Sequence, residues 1–158
     1  MPETVHQRLR KYLQSNNVMF REIQHEVTKT SEESAAARGE PLKIGGKSLL
    51  LKVAGEFRIF VLPANLKLDS STIKEKFETK RTRFASREEL TEMTGLVSGA
   101  VPPFGRPILP FELYVDRRLT HNDRIAFNAG SLTISFIVGM EDFLRVAKAC
   151  EVFEFSKE

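Results

Sequence analysis

The sequence predicts an α+β fold, a mixed β-sheet with flanking helices in a single domain over residues 1–158. Three observations predict it. Lys47–Val53 and Glu56–Leu62 are apolar-rich runs separated by Ala54-Gly55, a hairpin signal. Thr30-Ser-Glu-Glu33 and Ser86-Arg-Glu-Glu89 are capping boxes, each placing a glutamate where it can reach back to its cap residue. A chain of 158 residues, 41% hydrophobic and 28% charged, supports one core of ordinary size and not two.

Taken in order, Thr4 caps a first helix whose Val5, Leu9, Tyr12 and Leu13 share one face. Asn16-Asn17 ends it, and Val18–His25 reads as a strand. The helix opened at Thr30 runs through Ser34-Ala-Ala-Ala-Arg38 and stops at Gly39. The hairpin follows and closes at Pro63; Ser70 or Ser71 then starts a helix carrying Ile73 and Phe77. The helix capped at Ser86 ends at Gly95. Residues 96–111 hold four prolines along with Gly99 and Gly105, too many for a regular element, and such a long loop is often functional. Strands are predicted at Phe111–Val115, Arg124–Phe127 and Leu132–Val138, with a turn at Asn128-Ala-Gly130 and a last helix over Glu141–Ala149.

Composition excludes several chemistries. The lone Cys150 rules out a disulfide framework and a cysteine-built metal site; it is expected to serve packing at the last helix end. The scattered His6, His25 and His121 argue against a zinc site, so no metal or cofactor is expected; His6 and His121 are expected in solvent. No segment approaches the roughly 20 apolar residues of a membrane span. Val5–Leu13 mixes charge throughout, unlike a secretory leader, so a cytoplasmic monomer with no membrane partner is expected.

The net charge of +3 hides an uneven distribution. Residues 38–87 carry twelve positive and five negative side chains, a net of +7; residues 88–158 carry seven and eleven, a net of −4. That asymmetry suits an anionic partner such as nucleic acid, or simply a solvated basic face. Lys80, Arg81, Arg83 and Arg87 follow one another without an intervening acid and are the candidate nucleic-acid contacts.

The nucleophile-elbow, Walker, dinucleotide-binding and H-E-x-x-H patterns are all absent. Lys47 is the candidate catalytic residue. Strand alternation puts it on the face of Leu49, Leu51 and Val53, opposite Ser48, Leu50 and Lys52. A lysine at the head of an apolar face either escapes to solvent or meets an anionic group, and Gly45-Gly46 beside it allows a ligand or chain to come close. The loop Gly99-Ala100-Val101-Pro102-Pro103 either holds peptide groups rigidly toward a ligand or is a stiff crossover. His25 lines a pocket or caps a turn.

In order, His25, Thr30-Ser-Glu-Glu-Ser-Ala-Ala36, Lys47-Ser-Leu-Leu50, Leu68-Asp69 and Ala85–Gly95 form an ordered set. Gly99-x-x-x-Pro103 with Phe104-Gly105, then Val115-Asp116 and Phe127-Asn-Ala-Gly130, complete it. This set resembles the YbaK family, also known as the prolyl-tRNA-synthetase-associated editing domain, over roughly residues 4–153. The resemblance implies a mixed, partly barrel-like sheet with flanking helices around a small aminoacyl pocket. It implies an essential lysine at Lys47 and substrate contacts from the Gly99–Pro103 loop, with His25, Asp116, Asn128 and Gly130 as further binding candidates. Ile23 stands where some cysteine-clearing members have an aromatic hydroxyl, and Asn128 where some relatives have a small hydroxyl residue; both leave the amino acid open.

The implied activity is metal-independent hydrolysis of wrongly charged aminoacyl-tRNA, with the acceptor end of tRNA, and in some members a synthetase, as partner. Alanine or cysteine on proline tRNA leads, and serine or threonine follows. A non-catalytic module using the same pocket is the alternative reading. An aminoacyl ester is already activated, so positioning it with a water and stabilising its oxyanion supplies much of the acceleration.

Overall fold

The computed structural model describes residues 3–158. Its helices are α1 (Val5–Ser15), α2 (Ser31–Arg38), α3 (Ser70–Lys76), α4 (Arg87–Thr94) and α5 (Met140–Ala147). The strands are β1 (Phe20–Gln24), β2 (Gly46–Val53), β3 (Glu56–Pro63), β4 (Lys67–Leu68), β5 (Thr82–Phe84), β6 (Glu112–Asp116), β7 (Arg124–Asn128), β8 (Ile134–Gly139), β9 (Glu151–Phe153) and β10 (Ser156–Lys157).

Local chemistry sets the helix ends. Thr4 and Ser86 form full capping boxes with Gln7 and Glu89. Thr30 caps α2 through Glu33 N–H, and Gly39 ends it in the left-handed region. Ala54 and Gly55 both have positive φ, the geometry that joins twisted strands in a two-residue hairpin. The resulting β2–β3 ladder places Lys47 opposite Leu62 and Val53 opposite Glu56.

A five-stranded mixed sheet runs β5-β2-β3-β6-β9. Its β5/β2 and β2/β3 pairs are antiparallel; β3/β6 and β6/β9 are parallel. An antiparallel sheet runs β1-β8-β7, and β4 pairs with β10. The sheets stay open rather than closing into a barrel, and they approach at a parallel bridge between Gly45 and Ala126. The very short β4, β5, β9 and β10 were not expected, since two or three residues show no periodicity.

The apolar interior lies on both sides of the β2–β3 hairpin. Leu50, Ile59 and Val61 join the larger cluster with α1, α5 and residues 96–111. Leu51, Val53, Phe60 and Leu62 join Ile73, Tyr114, Phe153 and Phe155 in the second. A single-core expectation missed this because both faces of the sheet are covered. The long loop is held by Phe104, 1% exposed, whose ring meets Phe127 at 5.6 Å and Phe143 at 5.5 Å edge-on. Phe104→Ala is expected to cost about 3–5 kcal/mol, read as a lower midpoint in denaturant unfolding.

Candidate active site

The two larger sheets meet at the head of β2. A Cβ on Gly46 would lie 2.7 Å from Ile125 Cδ1 on β7, so a side chain there would force the Ile125 side chain to move. Gly45 bridges to Ala126, and its carbonyl accepts from Ala64 N–H at 2.8 Å. Beside this seam opens a cavity of about 250 Å³. Its walls come from the segment before α2 with α2 itself, the head of β2, Ser98, Gly99, Val101 and Asn128. Three cations border it, Lys29, Arg38 and Lys47, together with the hydroxyl residues Thr28, Thr30, Ser31, Ser34, Ser48 and Ser98. No Asp or Glu is among its wall residues.

Lys47 lies where strand alternation put it, above the second apolar cluster, which Leu49 packs against and which contains Leu51 and Val53. Its Nζ donates to Leu66 O at 2.8 Å, leaving two N–H donors. Partial burial pushes its pKa below the ordinary lysine value, and the negative charge of Glu32 opposes that shift. Ser48 Oγ is buried without a hydrogen-bond partner.

Sequence reasoning missed Arg38. It is 9% exposed at the last turn of α2 and enters the wall of the cavity. Its Nε donates to Ser135 Oγ at 2.9 Å and its Nη2 to Asn128 Oδ1 at 3.2 Å. Desolvation lowers its pKa to about 10, so it stays charged at neutral pH. The available signal was an arginine between three alanines and a helix-ending glycine, which reads equally as a C-terminal dipole partner. Only β7 and β8, remote in sequence, supply its acceptors.

His25 stands behind this network rather than in the cavity wall. Its ring contacts Glu26 O through Nδ1 at 2.8 Å and Ser135 Oγ through Nε2 at 2.8 Å. Asn128 also reaches the loop: its Nδ2 donates to Gly99 O at 2.8 Å. Gly99, at φ +90°, and Val101 border the cavity. Ala100, Pro102 and Pro103 do not; they are buried behind the loop. The Gly99 carbonyl therefore has Asn128 as a partner within the protein.

Two expected binding residues lie elsewhere. Asp116 is fully buried at the end of β6, where its Oδ1 accepts from Arg118 N–H at 3.1 Å and burial raises its pKa. It initiates the turn Arg117–His121 and is not among the cavity residues. Gly130 packs on the start of α1, where a Cβ would sit 3.0 Å from His6 N. His6, expected in solvent, is half-buried there, with its Nδ1 2.7 Å from Ala129 O. Cys150, expected to pack, is exposed; its Sγ lies 3.6 Å from Glu112, and desolvation and that carboxylate raise its pKa. That is the reverse of an activated thiol.

Lys80, Arg81, Arg83 and Arg87 are all exposed around β5. Glu89 holds Arg83 in a bidentate pair at 2.8 and 2.9 Å, and this pairing lowers the Glu89 pKa to about 2. Since β5 pairs with Leu51–Val53, the patch lies roughly 15 Å along the strand from Lys47.

Comparison with known proteins agrees with this geometry. The family model for the aminoacyl-tRNA editing domain matches residues 25–146. The multifunctional Ser/Thr-tRNA deacylase ProXp-y of Escherichia coli K12 is 37% identical over 149 residues, covering 90% of this chain and 88% of that protein. The prolyl-tRNA editing protein ProX of Acetoanaerobium sticklandii is 26% identical, covering 80% of each. A crystal structure of a candidate trans-editing enzyme for prolyl tRNA synthetase superposes with a TM-score of 0.83 at 22% identity over the full length of both chains. The chain belongs to the aminoacyl-tRNA editing domain family.

Proposed function

We propose that the chain deacylates wrongly charged aminoacyl-tRNA in trans, with serine and threonine as the preferred acyl groups. The carrying observation is a cavity of about 250 Å³ bordered by three cations and six hydroxyl residues, with no carboxylate in its wall. Family membership and the name of the E. coli relative support the same reading. Alanine and cysteine, the leading expectation from resemblance, gain less from such a wall, because their side chains offer little hydrogen bonding.

Hydrolysis proceeds by addition and then elimination at the acyl carbon. Water adds to the ester carbonyl carbon and the carbonyl oxygen takes up negative charge. The bond to the ribose oxygen then breaks and that oxygen takes a proton. The products are a terminal ribose hydroxyl, an amino acid carboxylate and one proton released to solvent. Lys47 borders the cavity, and the two N–H donors left beside its bond to Leu66 O suit it to lower the cost of that charge. Asn128 holds the Gly99 backbone in place, so the cavity is pre-shaped. Around β5, Lys80, Arg81 and Arg87, with Arg83 partly neutralised by Glu89, suit acceptor-stem phosphates.

A deacylation screen over Ser-, Thr-, Ala- and Cys-tRNA tests the reading: Ser- and Thr-tRNA are expected to be cleared fastest. Binding to all of them without turnover would favour the non-catalytic module. Lys47→Ala is expected to lose about 10²–10³-fold in kcat with an unchanged unfolding midpoint, and full activity in that variant would remove Lys47 from the mechanism. The pH dependence follows from the lowered Lys47 pKa. The cation is present at neutral pH and lost as pH rises, so the rate, corrected for spontaneous ester hydrolysis, should begin to fall below the ordinary lysine range.

A further inference from the structure

Arg38 is a buried cation without a counter-ion. Both groups that its side chain contacts, Ser135 Oγ and Asn128 Oδ1, are neutral, and among the described residues no carboxylate lies within ion-pair distance of it. Its third nitrogen, Nη1, makes no hydrogen bond among the described residues. Nη1 lies at the cavity seam, 3.6 Å from where a Cβ on Gly45 would sit. A guanidinium taken out of water is costly unless an anion joins it, so an apolar side chain would serve packing better.

The surrounding groups aim this cation. Ser135 Oγ donates to Asn128 Oδ1 at 3.1 Å and lies 2.8 Å from His25 Nε2, whose Nδ1 faces the Glu26 carbonyl. The hydroxyl proton then points away from Arg38, and an oxygen lone pair faces its Nε. Asn128 Oδ1 takes Nη2, which fixes the plane of the fork. Nη1 is left for a ligand.

We propose that Arg38 is the receptor for the acyl oxygens: it receives the ester carbonyl oxygen as charge develops, and then the carboxylate of the released amino acid. This rests on the deacylase reading for the identity of the ligand, while the site for a carboxylate stands on the geometry alone. Ser135 and His25 are positioning residues for it. A consequence is product retention, since the charge created by hydrolysis is the charge that the cavity attracts.

The experiment compares L-serine with L-serinamide, which lacks the carboxylate, on the whole chain. Binding is measured by titration and competition is measured against Ser-tRNA deacylation. Serine is expected to bind and inhibit at least tenfold more strongly. Arg38→Met, of similar reach but uncharged, is expected to abolish that discrimination and lower kcat more than it raises KM, and Arg38→Lys to restore part of both. Ser135→Ala is expected to weaken serine inhibition with the unfolding midpoint followed in parallel. Equal effects of the two ligands on the wild-type chain, including none from either, overturn the proposal even if Arg38→Met fails to fold. Discrimination retained in a folded Arg38→Met chain overturns it as well. Serine discrimination with no deacylation on any charged tRNA supports the carboxylate receptor and overturns the deacylase reading. Deacylation without discrimination does the reverse.

Discussion

The site depends on a backbone contact made where the chain carries no side chains. Gly46 lets Ile125 of the three-stranded sheet come to within 2.7 Å of the point that a Cβ would occupy, and Gly45 bridges to Ala126. The five-stranded sheet therefore meets its neighbour at the head of β2. The cavity is the space left beside that meeting, with α2 across it. Lys47 and Arg38 both line it, one from the strand that starts at the seam and one from the last turn of α2.

Electrostatics then give the cavity its character. A pocket with cations and no carboxylate in its wall favours species that carry or develop negative charge on oxygen. Lys47 is half-buried and keeps spare donors, so it responds to a ligand at modest desolvation cost. Arg38 is nearly sealed and leans on neutral acceptors, so its charge is uncompensated until a ligand arrives. Neither arrangement needs an activated nucleophile, which agrees with an ester substrate whose acyl group is already activated. The raised pKa of Cys150 and its place outside the cavity fit the same picture.

Much of this was legible locally. The Ser86 capping box, the Ala54-Gly55 turn and the face occupied by Lys47 depend on residues within a few positions of one another and took the expected form, whereas at Thr30 only the cap bond to Glu33 N–H formed and the Glu33 carboxylate accepts from the Thr30 hydroxyl instead. The expected loop contacts were half legible. Gly99 and Val101 reach the cavity, whereas Ala100, Pro102 and Pro103 turn inward because Phe104 anchors the segment in the core. Asp116 and Gly130 belong to the same ordered motif set and hold the fold instead, one starting a turn and the other seating α1. Residues that recur together in order need not share a site.

By itself, the sequence determined the helices, the longer strands, the hairpin turn and the residue that heads the hairpin, because hydrogen bonding and side-chain alternation act at short range along the chain. Its lone cysteine and three scattered histidines also turned attention to cations and backbone as candidates. Only the tertiary structure decided which cations meet. Arg38 became a site residue when Ser135 and Asn128, about a hundred positions away, were brought under α2 by the packing of two sheets. The burial that makes its charge uncompensated exists only once that packing is complete.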